Sequence, residues 1–392
     1  MQFSEKALHN LMMLLRVGVG ITKIEEESVE YDASVIDEVY SIAKYHDLAH
    51  IVANAVKKNK LECSPELYAK LDKQFLLAMY RYQHQKHDLG VLTKALEEAQ
   101  IPNIPLKGSV LRAFYPAEWM RTGCDIDILV KPENIEAVSD VLVNKYSYKP
   151  GIKSTHDVQF YSPAGTHVEL HFDLIEEDEY GADPVLDTFW DDAKPKDGYQ
   201  YRLEVSDEMF YFYHIRHMAK HIANGGCGIR PFLDIWVLNN RMPNKNTEGR
   251  AKLLALGGFD KFEAVAAQLS SVWFEEKSHT DTTLSLAAFL LGAGVYGNTE
   301  NLVTVRSAKR GGKLKYMLSR IFMNTDSLAM AYPRLNKHRW LAPFYQVKRW
   351  CRLVFCGSFK KSVKELKAAG EVSRQDREDV ADLFEKIGIS YI

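Results

Sequence analysis

The stretch from Arg121 to Val130, "RTGCDIDILV", sets two aspartates, Asp125 and Asp127, into an apolar run with the alternation of a β-strand. Side chains on a strand point alternately to its two faces. Ile126, Ile128 and Val130 therefore share one face, and the two carboxylates share the other, about 7 Å apart along the chain. The apolar face suits packing against helices. The acidic face repels itself unless a cation sits between the carboxylates or water separates them. A strand edge whose aspartates simply face water is the plain alternative.

Downstream, "THVELHFDL" (Thr166 to Leu174) alternates Val168, Leu170, Phe172 and Leu174 with His167, Glu169, His171 and Asp173. This reads as a second strand, apolar on one face and polar on the other. Laid beside the first, it brings Glu169 to the aspartate pair as a third carboxylate, with Asp173 as the competing ligand on the same face. Three carboxylates suit two Mg²⁺ ions, which clamp the attacking oxygen, the phosphoryl group and the leaving pyrophosphate of an in-line displacement. Upstream, "LKGSVL" (Leu106 to Leu111) places a glycine-serine turn before an apparent helix from Ser109 to about Tyr115. Such a turn offers free backbone N–H groups and a hydroxyl to a polyphosphate, and Lys107 and Arg121 add positive charge. Each motif is common alone. Their order along the chain is far more specific.

The sequence resembles the DNA-polymerase-beta-like nucleotidyltransferase superfamily, and within it the bacterial uncharacterised nucleotidyltransferase family. The likeness rests on "LKGSVLRAFYP", "RTGCDIDILV" and "VELH", and continues into "HIRHMAKHIANGGCGIRPFLDIWVL" and "LSRIFMNTDSLAMAYPRL". It implies that Asp125 and Asp127 bind both metals. Glu169 would help to hold the catalytic metal and accept the proton of the attacking hydroxyl. Gly108 and Ser109 would contact the triphosphate of the NTP, with ATP binding among the expectations. The chain departs from the broad superfamily in the longer gap between Ser109 and Asp125, filled by "YPAEWMRTGC", which lets Arg121 compete for the phosphate role.

Around this core the sequence is helical. "SVIDEVYSIAKYHDLAHIVANAVKK" has apolar residues close to helical spacing, and Ser64-Pro65 forms an N-cap and first-turn proline. The following segment to Gln100 reads as one long helix or a pair, with His and Gln on a solvated face. The expected organisation is a helical region over 1–100, a nucleotidyltransferase α/β core over 101–205 and a helical region over 206–392. The expected class is α+β, a small mixed sheet with extensive helical flanks.

In "YHIRHMAKHIA", His217 and His221 have the i, i+4 spacing of a zinc pair but lack the Glu that follows the first His in metalloproteases. A polar face carrying Lys220 toward phosphate, or a plain surface, fits better. Arg230 and Asp234, also at i, i+4, read as a helical ion pair. The basic segment Val305–Arg320 reads as a connector or a flap. The aromatic and basic stretch Phe344–Lys367 reads as a packed terminal helix.

The composition is 46% hydrophobic and 26% charged, with a formal net charge of -2. That balance gives no electrostatic ground for a nucleic-acid partner. The N-terminus lacks a signal-peptide pattern, and the apolar run Leu284–Gly297 is too short to span a bilayer. Five cysteines without a CxxC pair argue against a disulfide framework and for a reducing, cytoplasmic setting. The expected activity is Mg²⁺-dependent transfer of a nucleoside monophosphate from an NTP to a small-molecule or protein/peptide acceptor. A non-catalytic nucleotide-binding regulatory or scaffolding module is the alternative.

Overall fold

Helices α1 (Glu5–Gly18), α2 (Ile36–Tyr45), α3 (Ala49–Asn59) and α4 (Pro65–Glu98) precede the sheet. The computed structural model describes residues 3–175, 183–295, 297–355 and 359–389. The Ser64 hydroxyl accepts a hydrogen bond from the Leu67 N–H, satisfying an orphan donor at the start of α4. With that cap and no internal proline, α4 runs as one helix of 34 residues. Its polar face is only partly solvated. Gln85 is 6% exposed and donates to the carbonyl of Gly123, which corrects the reading of that face as simply wet.

The sheet follows in β1 (Asn103–Pro105), the short helix α5 (Gly108–Leu111), β2 (Asp125–Val130), α6 (Ile135–Asp140), β3 (Lys149–Lys153), β4 (Asp157–Tyr161) and β5 (His167–His171). Its order is β1-β2-β5-β4-β3. β2 and β5 are parallel, and the other pairings are antiparallel. Ile126, Ile128 and Val130 of β2 join Val158, Phe160, Val168 and Leu170 in one buried cluster, together with Leu92, Leu96, Val138 and Leu142. The alternation read from the sequence thus places the apolar face under α4 and α6 and frees the acidic face. The fold is α+β with a mixed five-stranded sheet.

Two boundaries differ from expectation, and two strands were not expected. α5 ends at Leu111 and gives way to a 3₁₀ turn over Arg112–Phe114. Pro116 disfavours helix at the residue before it, and Tyr115 is extended, with ψ 154°. β5 stops at His171, because the Phe172 and Asp173 N–H groups both turn to the carbonyl of His156. β1 and β3 had no clear sequence signal: one is three residues long, and the other is exposed throughout.

After the sheet come α7 (Phe189–Asp192), β6 (Lys194–Pro195), β7 (Leu203–Glu204), α8 (Asp207–Ala223), α9 (Arg230–Asn240), α10 (Thr247–Gly257) and α11 (Asp260–Phe274). The chain forms two compact units. The first holds the residues to Met218 and Ile229–Thr283, and the second holds Ala219–Gly228 and Leu284 onward. The second is helical: α12 (Asp281–Leu291) enters it, and α13 (Thr299–Lys309), α14 (Lys313–Ile321), α15 (Thr325–Ala331), α16 (Ala342–Phe355), α17 (Phe359–Glu371) and α18 (Arg374–Ile387) follow. Here the "NGGCG" turn requires glycine. Gly226 has φ 125°, and a Cβ on it would lie 2.4 Å from that of Ala293. Among the described residues, Cys63, Cys124, Cys227 and Cys351 are not joined in disulfides. Cys356 lies outside them. No helix among the described residues is long and apolar enough to cross a membrane.

Candidate active site

The parallel register of β2 and β5 sets Asp127 opposite Glu169 and Asp125 opposite His167. The three carboxylates therefore converge as the alternation suggested, and they bring two histidines with them. Ligand atoms of Asp125, His167 and Glu169 lie within 4.8 Å of one another, as do those of Asp127, Glu169 and His171. Asp173, the rival ligand, is exposed beyond the strand end and accepts the N–H of Ile175.

Asp127 is 3% exposed, and its Oδ1 accepts from Lys107 Nζ at 3.0 Å and faces His171 Nε2 at 2.9 Å. Burial opposes ionisation, but Lys107 and His171 outweigh it and hold Asp127 well below the usual carboxylate range. Asp125 goes the other way. Burial, and next the Asp127 charge, push it up. The two aspartates of one strand face are therefore electrostatically unequal, one pinned as an anion and the other loaded with surplus charge. His171 is raised: burial disfavours its charge, and hydrogen bonds to Asp127 and Glu169 more than compensate.

Lys107 precedes α5 with φ 45° and ψ -122°, a backbone conformation that favours glycine. A lysine there carries strain, and its ammonium on Asp127 is the compensating contact. Replacing it separates the two terms. Lys107→Gly is expected to be more stable than Lys107→Ala by about 1–2 kcal/mol, since only alanine keeps the strain. Urea unfolding of both variants measures the gap, and equal stabilities would remove strain from the account.

The turn after Lys107 corrects one expectation. The Ser109 N–H donates to the Leu106 carbonyl, and Val110 and Leu111 donate to that of Lys107. Ser109 thus has only its hydroxyl to offer. Arg121 does come close: a Cβ on Gly108 would lie 3.7 Å from its NH1. Its Nε is held on Asp234 Oδ1 and Oδ2 at 2.8 and 3.0 Å, and Tyr115 Oη donates to the same Oδ1 at 2.7 Å.

The expected Arg230–Asp234 helical pair does not form. Asp234 serves Arg121, and Arg230 NH1 binds Asp47 Oδ2 at 2.9 Å. Thr122 Oγ1 also donates to Asp47, and His50 Nε2 lies 2.8 Å from the Met120 carbonyl. The segment between Ser109 and Asp125 is thus tied to residues of the helical regions before and after the sheet. Gln85 completes the brace by accepting from Arg112 NH2 at 2.8 Å.

Lys220 lies on α8, in the stretch Ala219–Gly228 that groups with the second compact unit. Among the described residues no cation-holding group of three includes His217 or His221. His214 is buried, and its Nε2 lies 3.3 Å from the Pro231 carbonyl. Sequence reasoning passed over Tyr213, buried on α8, whose hydroxyl is pushed up to about 12 by burial, with Lys107, Asp127 and Glu169 in its field.

A mixed sheet here presents clustered carboxylates beside a lysine-bearing turn, an arrangement compatible with metal binding. Residues 32–275 match the uncharacterised nucleotidyltransferase family, and the chain belongs to it. Its general activity is accordingly nucleotidyl transfer, with an NTP as substrate. No curated protein and no solved structure matches the chain.

Proposed function

We propose that the protein is a Mg²⁺-dependent, polymerase-beta-like nucleotidyltransferase that transfers a nucleoside monophosphate to a small-molecule or protein/peptide acceptor and releases pyrophosphate. The observation that carries this reading is the meeting of Asp125, Asp127 and Glu169 across β2 and β5, with Lys107 3.0 Å from Asp127. The donor set fits a hard divalent ion: carboxylate oxygens dominate it, and the upward push on Asp125 marks negative charge that a cation relieves. Asp125, Asp127 and Glu169 would hold the metal, which when bound supplies charge to offset that building on the transferred and leaving phosphates.

The chain's own residues supply positioning. Lys107 anchors Asp127 and adds positive charge where the polyphosphate would lie. Arg121, fixed by Asp234, presents its guanidinium beside Gly108, where the missing Cβ lets a phosphate approach. Ser109 adds a hydroxyl. The acceptor oxygen forms a bond to the α-phosphorus as the bond to the bridging oxygen of pyrophosphate breaks, and Glu169 takes the acceptor proton. The near-neutral net charge of -2 favours an acceptor other than a polynucleotide.

A second reading, a regulatory nucleotide-binding module, draws on the fact that Lys107 and His171 already neutralise Asp127. Calorimetry with ATP, CTP, GTP and UTP, with and without Mg²⁺, tests the site itself. Mg²⁺-dependent binding of one nucleotide is expected in the wild type and should be lost in Asp125→Asn/Asp127→Asn. A double variant that binds as tightly as the wild type would sink the metal assignment.

A further inference from the structure

A cavity of about 580 Å³ in the first unit is bordered by Leu106, Ser109 and Val110, but neither Lys107 nor any of the three carboxylates lines it. Its volume is that of a small-molecule site. Leu89, Ile104, Val110, Phe114, Phe189 and Phe210 give it apolar walls. Four cations also line it, and they divide into two kinds. Lys86 and Lys196 are paired with Glu118 and Glu204. The guanidinium groups of Arg112 and Arg202 form no ion pair among the described residues, although the Arg202 backbone N–H donates to Glu97 Oε2 at 3.0 Å.

Arg112 is 5% exposed and gives its hydrogens to two neutral acceptors, the Gly108 carbonyl at 3.0 Å and Gln85 Oε1 at 2.8 Å. Burial, and next the Arg121 charge, push its guanidinium down to about 10, and the fields of Glu118 and Asp125 offset this only in part. Arg202 carries a buried Nε with no hydrogen-bond partner, and its guanidinium lies over the Tyr199 ring at 5.2 Å. A buried charge without a partner is costly, and so is a buried donor left unmade. Arg112 is a buried cation held only by neutral acceptors, and the partly exposed Arg202 keeps one buried donor unmade; an anion inside the cavity would offset both.

We infer that this cavity is a second binding site, taking a small molecule with one anionic head, phosphate or carboxylate, on an apolar body. Arg202 and Arg112 are its charge partners, and Ser109 offers a hydroxyl at the rim. The site does not rest on the nucleotidyl-transfer reading. It borders that site at Ser109, and Arg112 Nε holds the Gly108 carbonyl behind Lys107.

Calorimetry on the full chain without nucleotide or Mg²⁺ tests it, with phenyl phosphate and benzoate as probes and benzyl alcohol as the neutral control. At least one anion should bind the wild type and Lys107→Gly alike, and the alcohol should not bind. Arg202→Gln alters a partly exposed side chain and should fold normally, yet weaken binding by roughly tenfold, the scale of one charge-assisted hydrogen bond. Val110→Phe should abolish binding by filling the space. Failure of both anions to bind at millimolar concentration would overturn the inference. So would undiminished affinity in Arg202→Gln. Loss of binding in Lys107→Gly would place the anion at the carboxylate site instead.

Discussion

Asp127→Asn is expected to lower Mg²⁺-dependent pyrophosphate release by at least about a thousandfold, more than the loss of a single preorganised hydrogen-bond donor costs. The substitution keeps the side-chain shape and removes one charge. Its effect is large because three roles meet on one carboxylate. Asp127 faces the cluster with Glu169 and His171, anchors Lys107 and binds His171. An amide leaves both basic partners without their anion in a buried setting. The assay is release of pyrophosphate from whichever NTP binds, supplied with a mixed pool of hydroxyl-bearing small molecules and peptides. A variant that retains a tenth of wild-type turnover would remove Asp127 from the reaction. A wild type that binds nucleotide but never releases pyrophosphate would favour the regulatory module.

The acidic centre was legible because its signal is local. Alternation along "DIDILV" and "HVELH" decides which side chains share a face, and the buried cluster of Ile126, Ile128, Val168 and Leu170 follows that alternation. His171 lay on the same face by the same rule. Its part was missed because a histidine becomes a partner only once the β2–β5 register brings it to Asp127. Gln85, Tyr213 and Asp234 were not legible as parts of the site. Asp234 is 113 positions from Arg121, and nothing in either local pattern selects that pairing over Arg230 at i, i+4. Asp173 was misjudged because a period-two pattern does not show where a strand ends. Here the His156 carbonyl ends it by drawing off two N–H groups.

The Asp234 cluster gives the second large expectation. Asp234 is fully buried, and it accepts from Arg121 and Tyr115 while His214 adds positive field. Asp234→Asn leaves the Arg121 guanidinium buried without a counter-charge, at a cost of about 3–5 kcal/mol. Burial alone would raise the Asp234 pKa, but Arg121 and then His214 hold it below the usual range. A depressed carboxylate contributes stability that is complete above the ordinary aspartate value of about 4 and is lost as pH falls through the folded value. The deficit of the variant should therefore be full at neutral pH and shrink in acid below about pH 4. Urea unfolding of the first unit at several pH values reads both features. A neutral-pH loss under about 1 kcal/mol would show that the pair is not a strong anchor. The paired change Arg121→Leu/Asp234→Leu separates anchoring from function. Two apolar side chains of similar bulk remove the buried charges together, so much of the stability should return. Nucleotide affinity should stay low, because the guanidinium beside Gly108 is gone. Recovery of nucleotide binding in the double variant would make Arg121 a structural residue only.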